Sequence, residues 1–444
     1  MFVNIKRTFT ILCLLIIISS IWILNKEYVK KPNSSKNSLQ RLINEKAGKT
    51  VVLSPNESYK INSTLKIPDN TTIIGENTKI YNRSNNITLL SIGNNVKIYN
   101  LEIEGAGNHK YNDKAKAIEF IGTPSKYSSS VILENCNIHD IGGFGLYFKF
   151  ARNITINNCR ITKVGYAGIH GLSVENVKIN NTKINQIGPG KPSSISDKNI
   201  AYGITFTQSP PSQHNIKSLR SKNCVVMNSI IENNATWEAL NTHGGVNISF
   251  LNNIIKNCKY GISAVPIEVK NPNGISIKST APQNIKVIGN KLYGTGKGSA
   301  VVIQGAYNAN PIKGNIDVKN PIEYVKDSII AHNTSIQFGE KGNNSRGAIY
   351  ARETLNLKVY ENDLYNSYMN GITIHYTNRD FIVKNNKIEV VQVPKYEIPI
   401  GISVKGTFNR GLITTNKIKN INNAQLIKGI HIESSNRNKI TTIP

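Results

Sequence analysis

Between residues 151 and 161 the chain reads Ala151-Arg152-Asn153-Ile154-Thr155-Ile156-Asn157-Asn158-Cys159-Arg160-Ile161. Ile154 and Ile156 alternate with polar residues. That is the period of a strand with one buried face, and no helix-length apolar stripe accompanies it. The pattern returns down most of the chain: a β-branched alternation, an Asn, one or two residues, then Ile or Leu. The Asn falls at Asn135, Asn158, Asn181, Asn228, Asn253, Asn290, Asn333, Asn362, Asn386 and Asn416. The shortest returns are 23 residues apart, and wider gaps carry extra loop residues. Short strands at such a period predict a solenoid in which each repeat is one coil of a parallel β-helix. A polar residue kept at one phase predicts a ladder, each Asn bonded through its amide to those above and below. Cys136 and Cys159 follow Asn135 and Asn158 and are expected to stack in the same way.

After each such Asn comes a turn and another strand, which opens on a small residue and an aliphatic one. Examples are Gly145-Leu146, Gly168-Ile169, Gly203-Ile204, Ala239-Leu240, Ala348-Ile349 and Gly371-Ile372. If the aliphatic residue points inward, the next points out, the next in and the next out. Apolar residues at the second inward position, such as Phe120, Phe148, Phe206, Ile303, Ile374 and Val404, support this phase. The first outward column then reads Glu119, Tyr147, His170, Thr205, Asn241, Ser263, Val302, Tyr350, Thr373, Ser403, His431. The second reads Ile121, Lys149, Leu172, Thr207, His243, Val265, Gln304, Arg352, His375, Lys405, Glu433. Coils stack about 4.8 Å apart, so residues on neighbouring coils are expected to converge on one ligand. Long connections near 104–116, 188–200, 207–222, 265–283, 305–326, 338–346 and 390–399 are expected to build the walls of a groove.

The N-terminus has a different character. Lys6 and Arg7 precede an apolar run from Phe9 to Leu24, and no small-x-small cleavage site follows. Residues 1–25 are therefore expected to be an uncleaved membrane anchor with Lys6 and Arg7 on the cytoplasmic side, a cleaved signal being the alternative. Either way the rest is exported. Residues 26–36 read as a polar linker, and residues 37–444 as one β-helix domain. Leu39, Leu42 and Ile43 make a short helical stripe ahead of Thr50-Val51-Val52-Leu53-Ser54-Pro55. The open end of a β-helix is an unpaired sheet edge, and this helix is its expected cap.

The order of those elements carries a resemblance. A capping helix, Val51-Val52-Leu53-Ser54-Pro55, Tyr59-Lys60-Ile61, Leu65-Lys66-Ile67-Pro68 and Thr72-Ile73-Ile74-Gly75 resemble the opening of pectate-lyase-like right-handed β-helix proteins. The resemblance covers roughly residues 37–440. It implies an all-β, single-stranded, right-handed parallel β-helix, and it leaves activity open among lyases, hydrolases, epimerases and non-enzymatic spikes. A second stretch, Thr236-Trp237-Glu238-Ala239-Leu240-Asn241-Thr242-His243-Gly244-Gly245, resembles a Trp/Tyr-Glu-Gly-Ile-Asp-Thr-His-Gly-Gly signature of uncharacterised β-helix proteins. This chain has Asn241 at the Asp position, which puts an acid role there in doubt. The two glycines permit a tight bend or close approach of a ligand.

Charge narrows the partner. The 444 residues carry a formal net charge of +27, with Lys and Arg spread along the chain. Such a surface favours a polyanion, here an acidic polysaccharide, a solvated basic surface being the plain alternative. Nucleic acid is not expected, because no recognition module is present. The five cysteines form no CxxC pair and lack His at zinc spacing, so no metal cluster is expected. Cys13 lies in the apolar run, and the others are expected to be buried fillers. No cofactor is implied. Calcium has no support, because acids are scarce in the two columns.

Removing the C5 proton of a uronic acid needs a cation for the carboxylate, a base, and an acid for the leaving oxygen or the opposite face. Arg352 and Lys405 suit the first role, His243 or His375 the second, and Tyr350 the third. Asn241, Trp237, His170, Tyr147 and Lys149 are the expected sugar-orienting residues. The expected function is thus a lyase or C5-epimerase on an acidic polysaccharide. One alternative is a glycoside hydrolase using Glu238 and a second carboxylate, Asp140 and Glu353 being the others at coil turns that could reach the groove. The other is a polysaccharide-binding surface protein without activity.

Overall fold

Alternation of apolar and polar residues builds the wall of every coil. In the computed structural model Phe144–Lys149, Ala151–Asn157 and Arg160–Val164 are three successive strands. The next coil repeats them as Ala167–Leu172, Glu175–Asn180 and Lys183–Ile187. Equivalent strands pair in parallel, with Leu146 beside Ile169, Ile154 beside Val177 and Ile161 beside Ile184. Among the described residues the first strand of each coil joins a 13-stranded sheet running from Leu65–Ile67 to Lys428–Ile432. The other strands of the coils form a 27-stranded wide sheet. The structure describes residues 38–107, 110–193, 199–209, 219–234, 236–270, 276–306, 308–310, 315–317, 321–341, 346–391, 398–420, 428–433 and 437–444. The expected anchor and linker at 1–36 lie outside them. Among the described residues no helix is long and apolar enough to cross a membrane.

One core runs the length of the coils. Ile154, Ile156 and Ile161 are buried, as are Phe120, Phe148 and Phe206 at the second inward position of the 13-stranded sheet. Each such side chain contributes about 1.5–3 kcal/mol of burial. The inside and outside of this sheet are therefore as the sequence pattern predicts.

The Asn ladder differs from expectation by one residue. Asn135, Asn158, Asn181 and Asn228 are exposed and have a left-handed backbone, with φ between 47° and 54°. They mark a corner of the coil, where the chain must adopt positive φ and Asn does so at little cost. The same corner is taken later by Asn252, Gly289 and Asn385. The buried ladder lies one position further on. Its early members are Cys136, Cys159, Thr182 and Ser229, and from Asn253 onward it is asparagine. Asn253, Asn290, Asn333, Asn362 and Asn386 each donate through Nδ2 to the Oδ1 of the next, ending on Asn416, at 2.9–3.0 Å. Ten asparagines that look like one series are thus two columns with opposite exposure. Cys136 and Cys159 do stack, inside the coil, and Cys136, Cys159, Cys224 and Cys258 are buried and free.

The helix Ser38–Glu45 covers the first coil, burying Leu39 and Ile43. Its Gln40 side chain works like a peptide group at the sheet edge. Oε1 accepts the Lys66 N–H and Nε2 donates to the Lys66 carbonyl, both at 2.8 Å. The edge strand Leu65–Ile67 is thereby covered, as an exposed edge requires.

Candidate functional site

Corners within the wide sheet, such as 158–159 and 361–362, take two residues. The long connections all meet the 13-stranded sheet. Those at 105–115, 188–201, 337–348 and 392–399 lead into its strands. Those at 208–221, 266–282 and 305–324 lead out of them. Its outer face therefore lies between two rows of excursions. Two exit connections carry antiparallel hairpins, Ile267–Lys270 with Ser276–Thr280 and Asn308–Asn310 with Asn315–Asp317. Arg220 ties the exit edge together. Its guanidinium donates to the Gly244 and Ala281 carbonyls and pairs with Glu323, which also accepts the Ala281 N–H.

The register sets the two outward columns side by side. Tyr147, His170, Thr205, Asn241, Ser263, Val302, Tyr350, Thr373, Ser403 and His431 are successive neighbours in the first. It forms the floor of the face, and from His170 to Ser403 it is buried. His170, Asn241 and Tyr350, expected to be open to a ligand, are buried; Tyr350 meets the accessible column through its hydroxyl, on His375 Nδ1. The second column is more accessible: Lys149, His243, Arg352, His375 and Lys405 are half-buried.

His243 and His375 lie on the same face but do not meet. His243 stands beside Val265, Gln304 beside Arg352, and Arg352 beside His375. Four coil steps of about 4.8 Å separate the two imidazoles, roughly 19 Å. The expected single cluster of His243, Tyr350, Arg352 and His375 is therefore two centres. The column order already holds this separation, with Val265, Gln304 and Arg352 between the two histidines.

The first centre is aromatic. Phe144, Tyr166, Ala167 and Tyr202 are buried outside the solenoid core, against Tyr111, Tyr147 and Trp237. Tyr147 stacks on His170 with centroids 5.8 Å apart, and Tyr202 meets His243 edge-on at 6.2 Å. Burial pushes the His170 imidazole down to about 3 and also lowers His243. His243 Nδ1 lies 3.3 Å from the Pro266 carbonyl. Lys259 sits over the Trp237 ring at 4.6 Å. Gly244, with φ of 66°, makes the bend after this strand.

At its base is Glu238, which precedes the two columns at the strand start and is buried. Thr205 Oγ1 donates to Asn241 Oδ1 at 2.8 Å, and Asn241 Nδ2 donates to Glu238 Oε2 at 2.7 Å. Burial raises the Glu238 carboxyl to about 7, with Ser263, Trp237, Asn241 and Lys259 pulling it partly back. An aspartate in place of Asn241 would set two carboxyls at hydrogen-bond distance and force them to share a proton; the amide donates instead. A raised carboxyl also fixes a pH dependence of stability. Below 4.5 it is protonated both folded and unfolded and costs nothing. As pH rises through 7 the unfolded chain ionises first and the fold loses stability. Glu238→Gln is expected to match wild type in denaturant midpoint below pH 4.5 and to exceed it well above pH 7. The expected gain there is about 3 kcal/mol.

The second centre is cationic. Tyr350 Oη and His375 Nδ1 are 2.9 Å apart, and His375 stacks on Tyr376 with centroids at 4.0 Å. Arg352 precedes His375 in its column and Lys405 follows it. Arg346 lies over the Tyr350 ring and Arg352 over the Tyr376 ring, each at 5.3 Å. Burial, with Arg352, Lys405 and Arg346 nearby, pushes the His375 imidazole down to about 4. It is neutral near pH 7. Burial raises the Tyr350 phenol, against the pull of Arg352 and Arg346. Arg352 Nε donates to Glu353 Oε1 at 2.7 Å, and burial raises that carboxyl to about 7. Sequence reasoning left out Arg346 and Tyr376, which flank the columns. The aromatic at Tyr376, directly after His375, was the available signal for the second.

Among the described residues the group best placed to hold a metal lies elsewhere, on the wide sheet. Glu102, Glu104 and His139 bring their ligating atoms within 4.8 Å of one another. Lys79 pairs with both carboxylates and Arg83 with Glu104, so the charge is already balanced by side chains.

Comparison with curated proteins gives no match for this chain. Among solved structures, the catalytic domain of a GH87 α-1,3-glucanase in complex with nigerose is similar in fold. Its TM-score is 0.52 at 16% identity, over 94% of this chain and 67% of that one. The A-module of a mannuronan C-5 epimerase from Azotobacter vinelandii gives 0.47 at 10% identity, over 92% and 95%. The Streptococcus pneumoniae surface protein and adhesin PfbA gives 0.49 at 14% identity, over 92% and 96%. The family described as right handed beta helix region matches residues 46–170 and 125–316. That is more than half of the chain, and with the parallel coils it shows that the protein belongs to the right-handed β-helix family.

Proposed function

We propose that the protein acts on an acidic polysaccharide by proton abstraction, at the centre formed by His375, Tyr350, Arg352 and Lys405. The observation that carries this reading is the Tyr350–His375 contact at 2.9 Å, in register between Arg352 and Lys405. A carbohydrate partner also agrees with the fold shared with a glucanase that holds nigerose.

The chemistry follows from the groups. The sugar carboxylate lies against Arg352, with Lys405 adding positive charge from the next coil. Charge that builds on the carboxylate as the C5 proton leaves is stabilised there. With the ring proton on Nδ1 donated to the Tyr350 oxygen, His375 Nε2 presents its lone pair to the C5 proton. The Tyr350 O–H then serves as the acid. Protonation of the C4 glycosidic oxygen breaks that bond and leaves a C4–C5 double bond, which is the lyase outcome. Return of a proton to the opposite face of C5 gives the epimer. The bound anion offsets the cations that hold His375 down, so the imidazole becomes a better base when substrate is present.

A hydrolase centred on Glu238 is the second reading, favoured by a carboxyl raised to about 7. A hydrolase needs two carboxylates about the bond, and the groups acting on Glu238 are donors and a cation. One experiment separates the readings. The full chain, expected in the membrane fraction through residues 1–25, is incubated with acidic glycans such as polygalacturonate and alginate. Lyase action gives unsaturated-uronate absorbance, and epimerase action gives a changed uronate composition without cleavage. New reducing ends without that absorbance would favour Glu238. Binding without any product would favour a surface-binding role.

A further inference from the structure

We propose that Glu353 is the positioning residue of the clamp, fixing the Arg352 guanidinium beside His375 so that an acidic sugar meets a preset cation. This rests on the reading of Arg352 as the carboxylate-binding group. Glu353 is 1% exposed and holds Arg352 Nε at 2.7 Å. Arg352 is thereby kept against the Tyr376 ring and cannot swing along the column toward Lys405.

Glu353 is an expensive residue at this place. Its φ is 52°, at a corner where two other coils use Gly244 and Gly406 and three use Phe150, Ser173 and Tyr376. Its Oε2 is buried with no hydrogen-bond partner, and so is the Tyr324 hydroxyl from the exit connection. Gly305 leaves the room: a Cβ there would stand 2.8 Å from the Glu353 Cβ and 2.4 Å from its carbonyl oxygen. A left-handed non-glycine backbone and an orphaned buried carboxylate oxygen both lower stability. Packing alone would favour a smaller neutral residue, so the benefit must lie in what Glu353 holds.

The charged and titratable groups about it are few. Arg352 and Tyr350 come from its own strand, Tyr324 from the exit connection, and Arg379 lies over the Tyr324 ring at 5.2 Å. Burial raises the Glu353 carboxyl to about 7 despite Arg352. Above that pH the two form an ion pair. Below it Arg352 loses its anionic anchor and becomes a looser, uncompensated cation.

The test compares Glu353→Gln and Glu353→Ala in the full chain. The amide oxygen of Gln still accepts Arg352 Nε, so kcat/KM on acidic glycan is expected within about threefold of wild type. The small step, no more than about threefold, that Glu353 ionisation adds to the kcat/KM profile near pH 7 should disappear, leaving the His375 limb near pH 4. Ala releases Arg352, and kcat/KM is expected to fall at least about tenfold. Above pH 7 Glu353→Gln should be more resistant to denaturant than wild type at nearly wild-type activity, whereas Glu353→Ala removes the anionic partner of Arg352 and gains no such resistance. Equal losses in both variants that follow lost stability would overturn the proposal. A second readout does not depend on turnover. The nitrogen NMR resonance of Arg352 Nε–H, assigned by its loss in Arg352→Lys, should titrate near pH 7 in wild type and not in Glu353→Gln. If no acidic glycan is turned over, the reading of Arg352 fails while this titration still decides whether Glu353 anchors it. An Nε–H signal indifferent to pH and to Glu353→Gln would sink the proposal.

Discussion

His375→Ala lowers kcat on an acidic glycan by roughly a hundredfold to ten-thousandfold, the usual worth of a positioned general base. The loss should appear in kcat more than in KM, because Arg352 and Lys405 still bind the anion. The pH profile makes the prediction specific. In the free protein His375 is held at about 4 by burial and by Arg352, Lys405 and Arg346. The acidic limb of kcat/KM reports that free group and should fall near pH 4. The limb of kcat reports the complex, where the substrate carboxylate offsets those cations, and should lie at higher pH. Lys405→Ala removes one cation and should move the kcat/KM limb upward. A limb that stays put in Lys405→Ala, or activity that survives His375→Ala, would remove His375 from the base role.

The largest effect on stability is expected at Asn333. Its side chain lies inside the coil, donating to the Val287 carbonyl and to Asn362 Oδ1, each at 2.9 Å. Its Oδ1 accepts both the backbone N–H and Nδ2 of Asn290 at 2.9 Å. Asn333→Ala orphans several buried polar groups at once and should cost about 3–4 kcal/mol. Asn181, from the same apparent sequence series, is exposed and bonds only along the surface to Asn158. Asn181→Gly, which keeps the left-handed corner, should change stability by no more than about 0.5 kcal/mol. Chemical denaturation of the two variants checks the pair. Similar costs would contradict the division into a buried ladder and a surface corner.

That division shows what the sequence makes legible. Strand period, coil length and the inward phase of the 13-stranded sheet follow from burial of alternate side chains, which composition records directly. Right-handedness came only with the resemblance. The ladder register was off by one because Asn serves two purposes here. It tolerates positive φ at a corner, and it stacks by amide hydrogen bonds in the interior. Both produce Asn at nearly the same phase, and only Cys136, Thr182 and Ser229 beside the corner asparagines betray the shift.

The candidate site was legible as a face and not as a constellation. Register from Tyr147 to Lys405 could be read from the small-aliphatic strand openings. The four coils between His243 and His375 are in the same column order; what the sequence does not show is which neighbours touch, such as Tyr350 Oη and His375 Nδ1. Burial of the floor column was also hidden, because it depends on flanking aromatics such as Phe144 and Tyr166 about His170. Glu353 was visible as a turn carboxylate within reach of the groove; its hold on Arg352 needs side-chain geometry.

In the proposed reaction an acidic sugar lies on the outer face of the 13-stranded sheet, across Arg352, His375 and Lys405. A crystal structure of His375→Ala with an acidic oligosaccharide tests it most directly. The expected result is a sugar carboxylate against Arg352, with the C5 hydrogen facing the space left by the imidazole. A saccharide seated on the wide sheet, or at Glu238 with the Arg352 centre empty, would contradict it.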